Sequence, residues 1–158
     1  MTSLPAAAQR VQDAADTLGL SVTVRIMGKV TRTAEEAAAA CGCTVGQIVK
    51  SLIFRGKETG SPILLLVSGV NRVNEKAMAA RLGEGIVRPD AAFVREATGF
   101  AIGGIPPFGH VSPLVPRLDA DLLQYETVWA AAGTPNAIFA VRPAALRDAT
   151  GALVVQVT

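Results

Sequence analysis

The chain has 158 residues, enough for one domain with a sizeable hydrophobic core, and we expect residues 1–158 to form a single domain. Half of the residues are hydrophobic, but many of these are alanine, and the longest aliphatic run, Ile63 to Val67, is too short to span a bilayer. The first residues lack a basic start followed by an apolar core, which predicts no secretion signal. We therefore expect no membrane segment and a cytoplasmic protein.

The net charge of +2 conceals an uneven distribution along the chain. Residues 25–95 carry 11 Lys and Arg against 6 Asp and Glu, whereas the remaining residues carry 4 against 7. An excess of cations in one segment can attract a phosphate backbone. No basic run is dense, so scattered solvated charge is an equally good explanation.

The first predicted elements are a helix and a strand. Residues 3–18 have helical periodicity and are followed by Gly19, which predicts a helix that ends there. Residues 21–27 (SVTVRIM) alternate between polar and apolar side chains, which predicts a half-buried strand.

Two capping-box patterns come next. Thr33 and Thr44 each stand three residues before a Glu or Gln, which is the capping-box spacing found at the start of a helix. The first predicts an alanine-rich helix over residues 33–42. The second helix must be short, because the β-rich stretch VKSLIF follows at once. Lys50 is therefore predicted at a junction between a helix and a strand.

A hairpin and two helices are predicted in the middle of the chain. The turn-rich GKETGS separates VKSLIF from the apolar PILLLVSG, which is typical of a β-hairpin. Residues 74–83 predict a helix with Asn74 as its cap and Gly83 as its stop. Residues 90–99 (DAAFVREATG) predict another helix.

The last third of the chain predicts two strands, a helix and a final strand. ETVWAAAG and NAIFAVRP read as strands, PAALRDATG as a helix with proline in its first turn, and ALVVQVT as a strand. Hairpin patterns interrupt any regular β-α alternation, which disfavours a doubly wound sheet. The prediction is an α+β fold, with a mixed, mostly antiparallel sheet surrounded by helices.

The segment GGIPPFGH, residues 103–110, places two prolines between glycines and beside the only histidine. It matches neither a dinucleotide-binding fingerprint nor a P-loop, and proline lacks the N–H group that a phosphate cradle needs. Its prolines fix φ while its other residues keep backbone donors, so it suits a stiff loop that binds a small acyl group or a developing oxyanion. The alternative is a plain connection rich in turn-forming residues.

Other catalytic chemistry finds little support. The chain contains no G-x-S-x-G and no H-E-x-x-H motif, and a lone loop histidine such as His110 is more often solvated than catalytic. Cys41 and Cys43 have C-x-C spacing, which is not the paired C-x-x-C of a zinc site. We therefore expect no metal site and no cofactor. Lys50, considered alone, is typical of a surface lysine.

A succession of motifs resembles one protein family. In chain order, "TRTAEEAA", "VGQIVKSLIF", "LLLVSGVNRVN", "TGFAIGGIPPFGH" and "VWAAAGTPNAIF" closely resemble the YbaK/ProX family, the free-standing relatives of the editing domain of bacterial prolyl-tRNA synthetase. The resemblance covers nearly the whole chain and keeps the order of the motifs. It implies the fold of that editing domain.

The resemblance also implies a function and a site. Members of the family hydrolyse the ester that joins a wrong amino acid to tRNA, so the implied partners are mischarged aminoacyl-tRNA and prolyl-tRNA synthetase. The family's lysine at the start of its K-S-L strand matches Lys50, which is implied to be catalytic. The family's G-x-x-x-P loop lies in the segment expected to bind substrate, which comprises Gly103, Gly104, Ile105, Pro106, Pro107, Phe108, Gly109 and His110. In the basic segment, Arg72 and Lys76 flank Asn74 at helical spacing and are the candidate tRNA contacts.

Such an editing site has a physical reason to exist. A synthetase for proline cannot exclude a smaller amino acid by size alone, because one missing methylene is worth only about 1–3 kcal/mol in a hydrophobic pocket. The ester is already reactive, so positioning and oxyanion stabilisation can suffice without a histidine base or a metal.

Several alternatives stay open from the sequence. Alanyl, cysteinyl, seryl and threonyl esters are all compatible with the resemblance, and the tRNA is not specified. Many relatives have serine where this chain has Pro106, which alters the polarity of the loop. A non-catalytic tRNA-binding or synthetase-associated module would keep the basic segment without needing Lys50. A hydrolase of another small ester is a more distant alternative.

Overall fold

The computed structural model describes residues 3–158. Its helices are α1 (Ala6–Thr17), α2 (Ala34–Cys41), α3 (Glu75–Leu82), α4 (Ala91–Thr98) and α5 (Pro143–Thr150). Its strands are β1 (Arg25–Ile26), β2 (Ile48–Gly56), β3 (Pro62–Ser68), β4 (Ile86–Val87), β5 (Arg117–Asp119), β6 (Val128–Ala131), β7 (Ala137–Val141) and β8 (Leu153–Val155). Two short 3-10 turns lie at Val45–Gln47 and Ala120–Gln124.

The strands form one mixed sheet with the order β1-β7-β6-β2-β3-β5-β8, and β4 pairs with the end of β2. The pairs β2/β6, β3/β5 and β5/β8 are parallel, and the other pairs are antiparallel. The long central hairpin of β2 and β3 is in the register that places Lys50 opposite Val67. These observations confirm the predicted α+β fold with a mostly antiparallel mixed sheet.

The hydrophobic core occupies both faces of this sheet. Alternation along β3 sends Leu64 and Leu66 into a large cluster that also contains residues of α1, α4 and α5. Leu65 and Val67 point the other way, into a smaller cluster with Met78 of α3. The helices therefore cover the sheet on both sides, as predicted. Within residues 3–158, the helices are too short or too polar to cross a membrane.

The helix boundaries follow the capping residues. Thr33, Asn74 and Asp90 each accept a hydrogen bond from a backbone N–H in the first turn of the helix that follows. Gly83 and Gly42 end their helices in the left-handed conformation, which costs glycine little because it has no side chain. The helices predicted to begin at Thr33 and Asn74 are confirmed, and so is the helix predicted over residues 90–99.

Several strand predictions were wrong in extent. The strand predicted over 21–27 is reduced to β1, because only Arg25 and Ile26 pair with β7. The final strand predicted over 152–158 is reduced to β8, which pairs with β5. The sequence analysis also missed β4 and β5. The short helix predicted before Lys50 is a single 3-10 turn, so Lys50 is the third residue of β2 rather than a junction residue.

Candidate functional site

Lys50 lies in the interior of β2, where its side chain is half-buried. Its ammonium group donates a hydrogen bond of 2.6 Å to the backbone carbonyl oxygen of Asn71. Asn71 belongs to the segment that connects β3 to α3. This one bond fixes the position of the ammonium, and two of its three N–H donors remain for other partners.

Lys50 lines an open pocket of about 600 Å³. One wall includes Arg32, which precedes α2, and Glu35, which lies in the first turn of α2. A second wall is formed by residues 69–72, which bring Arg72 to the same pocket. The pocket therefore combines a held ammonium with two exposed guanidinium groups, a charge distribution that favours an anionic ligand.

The pKa of Lys50 lies below its ordinary value, chiefly because burial disfavours the charged form and secondly because Arg72 repels it. The carboxylates of Glu35 and Asp119 act in the opposite direction and raise this pKa. The amine therefore loses its proton more readily than a solvated lysine does, and nearby acidic groups oppose that loss.

The glycine-proline segment is a partly buried loop. Its middle, from Gly104 to Phe108, is buried, whereas Gly103 is exposed and has φ 101°. Ile105 and Phe108 belong to the large hydrophobic cluster and anchor the loop on the sheet. Among the described residues, Gly104 donates its backbone N–H to the Ala101 carbonyl, whereas the N–H groups of Gly103, Ile105, Phe108, Gly109 and His110 have no hydrogen-bond partner. The loop is therefore anchored by its apolar side chains and keeps five backbone donors unused.

Close backbone packing fixes the start of this loop. The carbonyl of Gly104 accepts a hydrogen bond of 2.8 Å from the N–H of Gly133, in the turn between β6 and β7. A Cβ atom on Gly104 would meet the carbonyl carbon of Gly133 at 2.7 Å. A Cβ atom on Gly133 would in turn meet the Ala7 carbonyl oxygen of α1 at 2.6 Å. Two glycines are therefore needed where the loop, the turn and the helix touch.

Gly103 lines a second, smaller pocket of about 80 Å³, together with Thr31, Cys41 and Val49. Lys50 and Arg32 line the larger pocket, whereas the residues that precede them, Val49 and Thr31, line this one. Within residues 3–158, the Lys50 ammonium donates to Asn71 alone and makes no hydrogen bond to the loop. The lysine and the loop therefore line different pockets, and no hydrogen bond joins them among the described residues.

His110 is the last residue of the loop, and its side chain binds the backbone of Pro106 within the same loop. Its Nε2 atom donates a hydrogen bond of 2.7 Å to the carbonyl oxygen of Pro106. Its ring also stands edge-on to Phe100. His110, Pro107, Phe108 and Gly109 line a separate pocket of about 360 Å³ beside α1 and α5. Burial lowers the pKa of His110, the hydrogen bond to Pro106 opposes this shift, and the positive charge of Arg10 adds to it.

The two candidate tRNA contacts are both exposed, but they are not equivalent. Arg72 precedes the Asn74 cap and lines the Lys50 pocket, whereas Lys76 lies in the first turn of α3. The prediction that the pair shares helical spacing was therefore wrong, because Arg72 is outside the helix.

The two cysteines are half-buried free thiols near the end of α2. Burial raises the pKa of the Cys41 thiol to about 11, so it is protonated at neutral pH and is a poor nucleophile. In the part of the chain that the structure describes, no three His, Cys, Asp or Glu side chains cluster closely enough to hold a metal ion.

Ser51, Asn71 and Asp119 were not among the residues predicted to form the site. Ser51 follows Lys50 on β2, and its buried Oγ atom is without a hydrogen-bond partner among residues 3–158. Asn71 and Asp119 are 48 residues apart and meet only because β3 and β5 are neighbours. No local motif marks such a pair.

Comparison with known proteins identifies the family. Residues 29–149 match the model of the aminoacyl-tRNA editing domain, which is most of the chain. The chain belongs to this family. The expected relationship to YbaK-like editing domains is thereby confirmed, and the family carries a deacylase activity that removes amino acids from tRNA.

Individual relatives agree with this assignment. The editing domain is 47% identical to a solved structure of a candidate trans-editing enzyme for prolyl tRNA synthetase, with a TM-score of 0.93 and 99% of each chain covered. It is 34% identical to the hypothetical protein APE2540, with a TM-score of 0.87, covering 94% of this chain and 98% of that one. It is also 33% identical to the uncharacterized protein YwhH of Bacillus subtilis (strain 168) over 73% of each chain.

Proposed function

We propose that this protein is a free-standing deacylase that hydrolyses the ester of mischarged aminoacyl-tRNA, with residues 1–158 acting as one editing domain. Its substrates are esters of small amino acids such as alanine, cysteine, serine or threonine. We propose tRNA-Pro as the carrier, which would make the protein a partner of prolyl-tRNA synthetase. The similarity to a candidate trans-editing enzyme for that synthetase supports this choice.

The observation that carries the proposal is the ammonium of Lys50, held 2.6 Å from the Asn71 carbonyl in a pocket that Arg72 also lines. A fixed positive charge stabilises the oxyanion that forms when the ester carbonyl is attacked. The same charge can also orient the terminal phosphate of the tRNA before attack, while the other cations of residues 25–95 supply most of the affinity. Arg72 reinforces the second role, because guanidinium groups bind phosphate well.

The glycine-proline loop would complete the site. The unused N–H groups of Gly103 and Ile105 are suited to hydrogen-bond the acyl group or the 3′-terminal adenosine. The smaller pocket of about 80 Å³, which Gly103 lines, would receive the side chain of the amino acid.

The reaction is hydrolysis of one bond. Water attacks the carbonyl carbon, the bond from that carbon to the ribose oxygen breaks, and the ribose oxygen leaves as a hydroxyl with the proton that water gives up. For a cysteinyl ester, the substrate's own thiol can attack instead, which breaks the same bond and releases a cyclic thioester that water then hydrolyses. We propose that His110 is not the general base, because it binds the Pro106 carbonyl and lines a different pocket.

The test is a deacylation assay with the purified protein and a panel of mischarged tRNAs. The proposal predicts release of a small amino acid from at least one tRNA at a rate well above spontaneous hydrolysis. It also predicts the same rate after treatment with a chelator. Inhibition by the chelator that added zinc reverses would contradict metal independence and return His110 to consideration as a ligand.

The second candidate function is a non-catalytic tRNA-binding or synthetase-associated module. The excess of cations between residues 25 and 95 favours it, because that excess needs no catalytic lysine. Salt-sensitive binding of tRNA without release of amino acid from any substrate would make this the better account.

A further inference from the structure

Asp119 is an ionisable residue that is almost completely buried. It lies at the end of β5, and its residue surface is 1% exposed. Within residues 3–158, it is the only Asp, Glu, Lys or Arg that is buried to this degree. Burying a carboxylate is costly unless hydrogen bonds compensate for the lost water. The Asp119 carboxylate therefore needs hydrogen-bond donors from the protein.

Three N–H groups bind the carboxylate. Its Oδ2 atom accepts hydrogen bonds from the backbone N–H of Ser68 at 3.0 Å and from the side-chain amide of Asn71 at 2.8 Å. Its Oδ1 atom accepts from the backbone N–H of Asp121 at 3.0 Å. The amide nitrogen of Asn71 also donates to the carboxylate of Asp121 at 2.7 Å. Asn71 is thus held through its side chain by two acidic residues.

Asn71 connects this carboxylate to the candidate catalytic lysine. Its backbone carbonyl is the acceptor for the Lys50 ammonium, and its own N–H donates to the carbonyl of Ser68. The sheet explains the proximity, because Lys50 pairs with Val67 on β3 and β3 pairs in parallel with β5. The negative charge of Asp119 also acts through space and raises the pKa of Lys50.

We propose that Asp119 positions Lys50 for catalysis, acting through Asn71, whose side chain it holds so that the Asn71 carbonyl receives the Lys50 ammonium. This inference rests on the proposed deacylase function. The carboxylate does not touch the substrate. It fixes the acceptor that orients the ammonium, and its charge helps to keep that ammonium protonated.

Asp119 also has a purely structural role that the test must separate. Its side chain caps the 3-10 turn at Ala120–Gln124, so its loss weakens that turn whether or not Lys50 is affected. If the role of Asp119 is only structural, its loss lowers stability, and its effect on the deacylation rate multiplies with the effect of removing Lys50. A positioning effect disappears once Lys50 is removed, because the group being positioned is gone.

The experiment is a double-mutant cycle measured as single-turnover deacylation. The variants are Asp119→Asn, Lys50→Ala and the double variant, with Asp13→Asn as a control that removes one exposed aspartate on α1. We expect Asp119→Asn to lower the rate constant by about tenfold with little change in the half-saturating concentration, since misplacement of a catalytic group acts mainly on the chemical step. In the Lys50→Ala background we expect the same substitution to have no further effect. Asp13→Asn should match the parent.

Each outcome decides the question. Losses that multiply in the double variant, or a folded Asp119→Asn protein with the parental rate, overturn the positioning role while leaving the deacylase intact. A Lys50→Ala variant as active as the parent instead overturns the proposed role of Lys50, on which this inference rests. If thermal unfolding shows that Asp119→Asn is unfolded at the assay temperature, Asn71→Ala takes its place in the cycle with the same expectations.

Discussion

We expect Lys50 to be charged and His110 to be neutral, although burial is the main cause of a lowered pKa in both. Lys50 must stay charged to stabilise an oxyanion, and Glu35 and Asp119 support that charge. His110 has no acidic neighbour among the causes of its shift, and Arg10 opposes its protonation. We therefore interpret His110 as a neutral donor that fixes the loop.

This interpretation predicts a pH-dependent contribution to stability. The folded protein binds a proton on His110 less readily than the unfolded chain, whose histidine has an ordinary pKa of 6.5. The stability that neutral His110 provides is therefore complete above that value and is lost as pH falls through the lowered pKa. We expect His110→Ala to cost about 1–3 kcal/mol at neutral pH, because the Pro106 carbonyl loses its donor. Denaturant unfolding across pH measures this, and an unchanged difference between the two proteins at low and neutral pH would contradict it.

At the scale of elements, the glycine contacts between the loop, the β6–β7 turn and α1 determine where the loop begins. Gly104→Ala would force backbone atoms apart, since its new Cβ atom lies 2.8 Å from the Gly133 oxygen. We expect a loss of about 1–3 kcal/mol in the free energy of unfolding, the usual cost of overpacking. Gly28→Ala is the matched control, because its Cβ atom would meet nothing within 4 Å. Equal stability of the two variants would show that this contact does not constrain the loop.

The elements that could be predicted from the sequence are those with local rules. Thr33, Asn74 and Asp90 mark the starts of their helices, because a capping residue directly precedes the first turn in the sequence. The β2–β3 hairpin was recognisable because two apolar runs flank a turn-rich segment. β4 and β5 have two and three residues, too few to show alternation, and only pairing with distant strands defines them. The limits of β1 are likewise set by its pairing with β7.

The same distinction applies to the candidate site. Lys50 and the 103–110 loop could be identified because each belongs to a continuous motif of the family. Their placement in different pockets depends on how α2 and the sheet pack, which no motif specifies. The link from Asp119 through Asn71 to Lys50 joins β5, the segment after β3, and β2. Contacts of this kind appear only when the sheet topology is known.

At the scale of the whole molecule, the uneven charge predicts how the protein binds tRNA. If the cations between residues 25 and 95 meet phosphates, each contact adds about −0.7 to −0.9 to the slope of log affinity against log salt concentration. We expect Arg72→Ala/Lys76→Ala to weaken binding and to reduce that slope. Arg142→Ala/Arg147→Ala, which removes the same charge outside the segment, should change it less. A slope near zero for the parent, or equal effects of the two double variants, would exclude the segment as the tRNA-binding surface.

The central claim is that the editing domain hydrolyses its substrate with the help of the Lys50 ammonium. The most direct measurement is the single-turnover rate of deacylation by Lys50→Ala on the best substrate of the panel, with Lys57→Ala as the control for loss of an exposed lysine. We predict a fall on the order of 10²-fold for Lys50→Ala, with thermal stability and tRNA affinity nearly unchanged and poor rescue by Lys50→Arg. Lys57→Ala should match the parent. Deacylation by folded Lys50→Ala at the parental rate would contradict the account.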